Sequence, residues 1–282
     1  MNPSCSTSAG GLCVLSFACT RTFDPEVRGR NQRYSSNVGP DGLPLPPDTL
    51  RVRVAGTADI ESFFHGGQLG AHAVRELLAA SGRPIEECRA ILNFGCGCGR
   101  VLRHWKDLGA TAVCSTDLNA ELVQWCQAHL PFASVSVNSV EPPTSFADGR
   151  FDAIYAFSIL THVPANTQRH WLHEFHRLLR PGGLLIFSTH GSCYLPRLTN
   201  QERQQFLGGQ LVARFESAAG SNLCNTYHPE TFVRRELSPD WNVAAFVPEG
   251  AQGNLARMRG SSNDHEVPQS ELAVPASYAL TI

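Results

Sequence analysis

The 282-residue chain has almost no lysine: Lys106 stands alone among 23 basic residues, the rest being arginine. It also lacks an excess of either charge, with 25 acidic residues and a formal net charge of −2. That balance gives no electrostatic footprint for nucleic acid. No run approaches the ~20 apolar residues of a membrane span; the best, Leu12–Ala18, is too short. Met1–Gly11 carries no Lys or Arg, so the basic start of a signal peptide is missing. The expectation is a soluble, cytoplasmic protein with no membrane partner. Ten cysteines without an export signal are expected to stay reduced. Cys96 and Cys98 have no second Cys or His pair at ligand spacing, so no metal is expected. Hydrophobic residues at 42% suffice for a sizeable core and exclude global disorder.

Residues 1–50 are weakly patterned and read as an arm, with a Ser-, Gly- and Pro-rich stretch from Ser35 to Asp48. From Ala71 the spacing of Ala73, Val74, Leu77 and Leu78 predicts a helix ended by Gly82 and Pro84. Short apolar runs then alternate with helical patterns. Strands are expected at 90–94, 112–115, 134–137, 151–157, 184–188 and 243–247. Helices are expected over 100–108 and 120–129. A further helix carries the stripe Trp171, Leu172, Phe175, Leu178 and Leu179, stopped by Pro181-Gly182-Gly183. This alternation predicts an α/β fold, a doubly wound, mostly parallel sheet with helices on both faces. The expected organisation is an arm over 1–50, a main domain over 51–250 and a tail over 251–282. Within the domain, 51–88 is a helical lid, 89–191 the ligand-binding core and 192–250 an acceptor-side segment.

Asn93-Phe94-Gly95-Cys96-Gly97-Cys98-Gly99 joins the first strand to the expected helix over 100–108. Glycines there let the backbone turn sharply and approach a ligand. Asp117 stands at the end of the next strand, where a carboxylate can accept both ribose hydroxyls of a nucleoside. A dinucleotide loop would place its third glycine at position 100, but Arg100 is there and Gly99 precedes it.

The G-x-G-x-G spacing resembles the first motif of class I S-adenosylmethionine-dependent methyltransferases. Ser115-Thr116-Asp117-Leu118-Asn119, Phe157-Ser158-Ile159-Leu160-Thr161-His162 and Arg180-Pro181-Gly182-Gly183 extend the resemblance, as does Val54-Ala55-Gly56-Thr57 with Phe63-Phe64-His65-Gly66. Together they look like a bacterial small-molecule methyltransferase subfamily. The resemblance implies a seven-stranded sheet whose last strand is antiparallel and lies between the fifth and sixth. It implies S-adenosyl-L-methionine as cofactor and a small-molecule acceptor, such as a hydroxyl or amine of a secondary metabolite. Gly95 to Gly99, with Cys96 and Gly97 among them, would pass under the methionine portion, and Asn93 and Phe94 before them would also be cofactor-binding. Asp117 would hold the ribose, Leu118 the adenine face, and Asn138 and Ser139 the adenine edge. Phe157 and Ser158 would face the donor sulfonium. Asn93 departs from the family, which has an acid at that position. For the last strand, Tyr278–Ile282 is a better candidate than Asn254–Met258.

His162, beyond the fourth strand, is the first candidate for a general base, and His190, after the fifth, the second. Tyr227 and His228 read as structural. A binding protein on a relic of this fold is the alternative function; a nicotinamide oxidoreductase is disfavoured by Arg100. Oligomeric state stays open.

Overall fold

The computed structural model describes residues 25–34, 36–236, 241–247 and 276–281. Cys5, Cys13, Cys19, the Leu12–Ala18 run and Asn254–Met258 lie outside these. The described residues fall into two compact units divided after Phe63.

The first unit holds helices α1 (Pro25–Asn31) and α2 (Asp48–Ala55). The Arg51 guanidinium is buried and donates to the carbonyls of Ala58 and Pro46 and to Asp48 Oδ1. Asp59 pairs with Arg30 at 2.8 Å and caps the N–H of Ser62. Helix α3 (Ile60–Ala80) begins at the end of this unit and continues into the second.

The second unit is built on a sheet of order β3-β2-β1-β4-β5-β9-β8. Its parallel strands are β1 (Ala90–Phe94), β2 (Ala112–Asp117), β3 (Ala133–Val137), β4 (Phe151–Ala156) and β5 (Leu179–Thr189). β6 (Val212–Arg214) and β7 (Asn225–Tyr227) form a separate antiparallel pair. β9 (Ala276–Thr281) runs antiparallel to both β5 and β8 (Asn242–Val247) and lies between them. The late C-terminal strand thus fills the expected place.

Helix α4 (Ala120–His129) has the expected bounds because Asn119 caps it, accepting from the N–H groups of Glu121 and Leu122. The apolar stripe of α5 (Ala165–Leu178) is buried, and Trp171 and Phe175 pack on Phe94 from β1 at 4.5 and 4.9 Å between ring centres. Helices α6 (Asn200–Leu207) and α7 (Glu230–Glu236) come later in the chain.

Three expectations need correction. The helix expected over 100–108 is only a short 3₁₀ turn at Leu102–Trp105. Its apolar residues Leu102, Trp105 and Leu108 are all buried at a spacing of three, which suits a three-residue turn better than an α-helix. The helix expected from Ala71 begins eleven residues earlier, because Gly66, Gly67 and Gly70 lie inside α3 rather than in a turn. Pro181-Gly182-Gly183 does not cap α5. That helix ends at Leu178, and these residues belong to β5, since Pro181 drives the residue before it into extended backbone.

Candidate functional site

The glycine loop hangs from β2. The N–H groups of Gly95 and Cys96 both donate to the Thr116 carbonyl, at 2.8 and 3.0 Å. Gly95 has φ +79, and a Cβ there would come 2.0 Å from Ile159 Cδ1. Only glycine fits that position. Asp117 takes the Gly97 N–H on Oδ2 at 2.7 Å and the Asn119 N–H on Oδ1 at 2.9 Å. The carboxylate therefore pins the loop and the start of α4 while keeping lone pairs for a ligand. Burial pushes its pKa up, against the pull of those N–H groups.

Around this pair the other expected residues fall unevenly. The Asn138 N–H donates to the Asp117 carbonyl, and the Asn138 amide donates to the Ser139 carbonyl. Leu118 is 40% exposed beside them. Phe94 is different: its ring packs into the core against α5, so only its backbone borders the loop. Cys96, Cys98 and Gly99 are buried. Gly99 needs its φ of +82, and a Cβ there would meet Leu130 Cδ1 at 2.4 Å.

At the end of β4, Phe157 and Ser158 form a turn. Ser158 has φ +57, rare for a residue with a side chain, and its N–H donates to Ser188 Oγ at 2.8 Å. Strain of this kind persists only where neighbours impose it. Ser188 does so here, and sequence reasoning missed it.

His162 and His190 come together. Their ring centres are 6.1 Å apart. His162 Nδ1 lies 2.7 Å from the Cys224 carbonyl. A carbonyl only accepts, so Nδ1 carries the proton and Nε2 keeps its lone pair. Burial lowers the His162 pKa, partly opposed by that carbonyl. His190 is lowered further, to about 4, by burial and by the neighbouring His162.

One loop links these histidines to the glycine-loop side. The Gly220 N–H donates to the His162 carbonyl at 2.8 Å, and a Cβ on Gly220 would come 2.8 Å from Leu118 Cδ2. Tyr227 and His228, expected to be structural, hold this arrangement: His228 donates its backbone N–H to the His190 carbonyl and pairs its Nε2 with Gln168 Oε1. Gln168 in turn donates to the carbonyls of Leu160 and Val163, on either side of His162. No spacing in the sequence signals this network, because it joins residues about sixty positions apart.

Among the described residues there is no group of three or more His, Cys, Asp or Glu that could hold a metal, and the cysteines carry no disulfide. Among them, too, no helix is long and apolar enough to cross a membrane.

Residues 92–187 match the methyltransferase domain family. Over these residues the chain is similar to that family. A ubiquinone biosynthesis O-methyltransferase from Xanthomonas oryzae pv. oryzae is 38% identical over 170 residues, covering 58% of this chain and 65% of that protein. A malonyl-[acyl-carrier protein] O-methyltransferase from Pseudescherichia vulneris is 33% identical over 140 residues, covering 49% of this chain and 53% of that protein. The chain thus spans between about half and about two thirds of these relatives. Among solved structures, an S-adenosylmethionine-dependent methyltransferase from Mesorhizobium loti aligns with a TM-score of 0.53 at 18% identity, covering 76% of this chain and all of that one. At that identity the likeness concerns the fold alone.

Proposed function

We propose that this chain transfers a methyl group from S-adenosyl-L-methionine to an oxygen of a small-molecule acceptor. The observation that carries the reading is the fixed tautomer of His162. With Nδ1–H given to Cys224, the Nε2 lone pair is the one ring site able to take a proton. Burial holds the ring neutral near pH 7. It therefore works as a general base that removes the acceptor's hydroxyl proton. The relatives support oxygen as the nucleophile, since both are named O-methyltransferases.

The residues present fit an adenosine-type cofactor. Asp117 retains acceptor capacity beyond its two backbone partners, which suits two ribose hydroxyls. Leu118 offers an exposed apolar face next to it for the adenine. Asn138 and Ser139 border the same end, and Asn93 and the Gly95–Gly99 backbone border the other. Phe157 and the strained Ser158 would face the donor, whose bound form supplies an electrophilic methyl group. The protein's own part is orientation, exclusion of water and proton removal. The segment 192–250 would serve as the acceptor side, and a cytoplasmic location suits this chemistry.

The test has two arms. S-adenosylhomocysteine at 100 times its Kd should stabilise the protein by about 2.7 kcal/mol, and NAD should not. His162→Gln should cut turnover on an acceptor found by product-mass screening by about 10²–10⁴-fold, with S-adenosylhomocysteine affinity kept within a few-fold. Stabilisation by NAD alone refutes the reading.

A further inference from the structure

Arg100, directly after Gly99, is a charge that the fold leaves without a counterion. Its side chain is partly buried, and among the described residues it makes no hydrogen bond or ion pair. Burial pulls its pKa down, opposed by the Cys98 thiol, yet a guanidinium stays charged near neutral pH. Other arginines of this unit are provided for. Arg83 and Arg180 pair with Asp152, Arg177 with Glu174 and Arg214 with Glu202, while Arg103 lies over the Phe64 ring. A charge drawn out of water without a partner is destabilising, so its retention beside the glycine loop calls for an anion that arrives with a ligand.

The guanidinium lies against the glycines of α3. A Cβ on Gly66 would stand 3.3 Å from Arg100 Nη1 and 3.8 Å from its Cζ. One turn along the helix, a Cβ on Gly70 would stand 2.9 Å from Val101 Cγ2 and 3.4 Å from Phe157 Cε2. Each glycine inside a helix costs about 1 kcal/mol against alanine. Gly67 is explained by the Arg100 backbone, which a Cβ would meet at 2.2 Å. Gly66 has no such backbone contact, and its missing side chain leaves the guanidinium its place. Gly66, Gly70, Gly95, Phe157 and Ser158 are all partly exposed, so they border open space rather than core. That space lies at the C-terminal ends of β1 and β4, where such sheets take their ligands.

Resting on the methyl-transfer reading, we infer that Arg100 binds the carboxylate of the cofactor's methionine portion and thereby positions the donor. The nucleoside end is assigned to Asp117, which accepts from the Gly97 N–H. The methionine chain then runs along the loop, and Arg100 follows the last glycine of that loop. A carboxylate suits a guanidinium because two parallel N–H bonds can form. The amino-acid end also carries an ammonium, but position 93 is a neutral, buried asparagine and supplies no charge for it. Of the two charges at that end, the negative one finds the fixed partner. Asp117 and Arg100 would then hold the cofactor at both ends, with the methyl group between them near Phe157 and Ser158.

The experiment titrates the full chain with two ligands by calorimetry. One is S-adenosylhomocysteine; the other is its decarboxylated analogue, which keeps the nucleoside, the thioether and the ammonium. The unaltered protein should prefer S-adenosylhomocysteine by about tenfold or more. Arg100→Met keeps an apolar stem and removes the charge. It should weaken S-adenosylhomocysteine by about 10–150-fold and leave the analogue within about twofold, so that the preference disappears. Equal loss of both ligands overturns the proposal, because Arg100 then only supports the loop. Unchanged S-adenosylhomocysteine affinity in folded Arg100→Met also overturns it, and assigns the charge to something other than the cofactor; the methyl-transfer reading survives either result. If Arg100→Met does not fold, the two-ligand comparison on the unaltered protein decides, and equal affinities overturn the proposal. Failure of both ligands to bind removes the methyl-transfer reading, and the proposal with it.

Discussion

Acidification from pH 7 to 4.5 should cost this protein much of its stability, and two histidines should account for most of the loss. His228 is 1% exposed and pushed down to about 3, by burial and then by the neighbouring His190. His190 is pushed down to about 4 by burial and by His162. Both stay neutral in the fold while their unfolded counterparts take up protons below an ordinary histidine pKa of about 6.5. The unfolded state then binds more protons, so stability falls as pH falls. At pH 4.5 each histidine contributes a loss of about 2.5 kcal/mol relative to pH 7, or about 5 kcal/mol together. That is a large part of the roughly 5–15 kcal/mol typical of a folded protein. His162, lowered by burial, adds to the same slope. The lowered carboxylates Asp152, Glu174 and Glu202 begin to lose their contribution only near pH 5, at the acidic end of the window, and lose most of it below about pH 4.5. Asp117, raised by burial, works in the opposite direction near the acidic end. Urea midpoints at pH 7.5, 6.5, 5.5 and 4.5 measure the slope. His228→Gln should flatten it by about 1.4 kcal/mol per pH unit between 6 and 4.5. A midpoint constant across this range, or a slope unchanged in the variant, refutes the claim that these rings are held neutral.

The other predictions concern the site and its supports. Asp117→Ala should weaken S-adenosylhomocysteine by about 10–150-fold in calorimetry, and unchanged affinity in a folded variant would remove the ribose role. Gly67→Ala would set a Cβ 2.2 Å from the Arg100 carbonyl and should destabilise by about 1–3 kcal/mol in urea titrations. Gly29→Ala, in α1 with open space around it, should instead be neutral or stabilising by up to about 1 kcal/mol. Ser188→Ala leaves the Ser158 N–H without its acceptor and should lower turnover more than thermal stability; equal activity would show that the Ser158 turn needs no support from β5.

Much of the sheet was legible because each strand is a short apolar run bounded by glycine, proline or a capping residue. Asn119 and Pro131 bracket α4, and its bounds come from them. The loop and Asp117 were legible for the same reason: strand, glycines and acid stand within one β-turn-β unit. The hidden features depend on packing across the chain. Gly66, Gly67 and Gly70 look like turn residues, yet they are small because α3 lies on the backbone at Arg100 and on Val101 and Phe157. The 3₁₀ turn at Leu102–Trp105 carries apolar residues that an α-helix would also accept, so only the burial of Leu102, Trp105 and Leu108 together distinguishes the two.

The histidine pair depends most on such packing. Sequence position alone brought His162 and His190 into consideration, as side chains beyond the ends of the fourth and fifth strands. It could not give their chemistry, which is set by a third segment. β7 and its flanks supply the Cys224 carbonyl to one ring and the Thr226 backbone to the other. Thr226 is itself anchored by its hydroxyl on the Leu160 carbonyl, at 2.8 Å. The same stretch gives Gly220 to Leu118 and His228 to Gln168. A displacement of 220–228 would therefore release both tautomers, uncover Leu118 and leave the Gln168 network incomplete at once. The proposed roles of His162 and Leu118 are thereby coupled through this one short stretch. Substitutions there should change turnover and cofactor binding together, whereas His162→Gln should lower turnover alone.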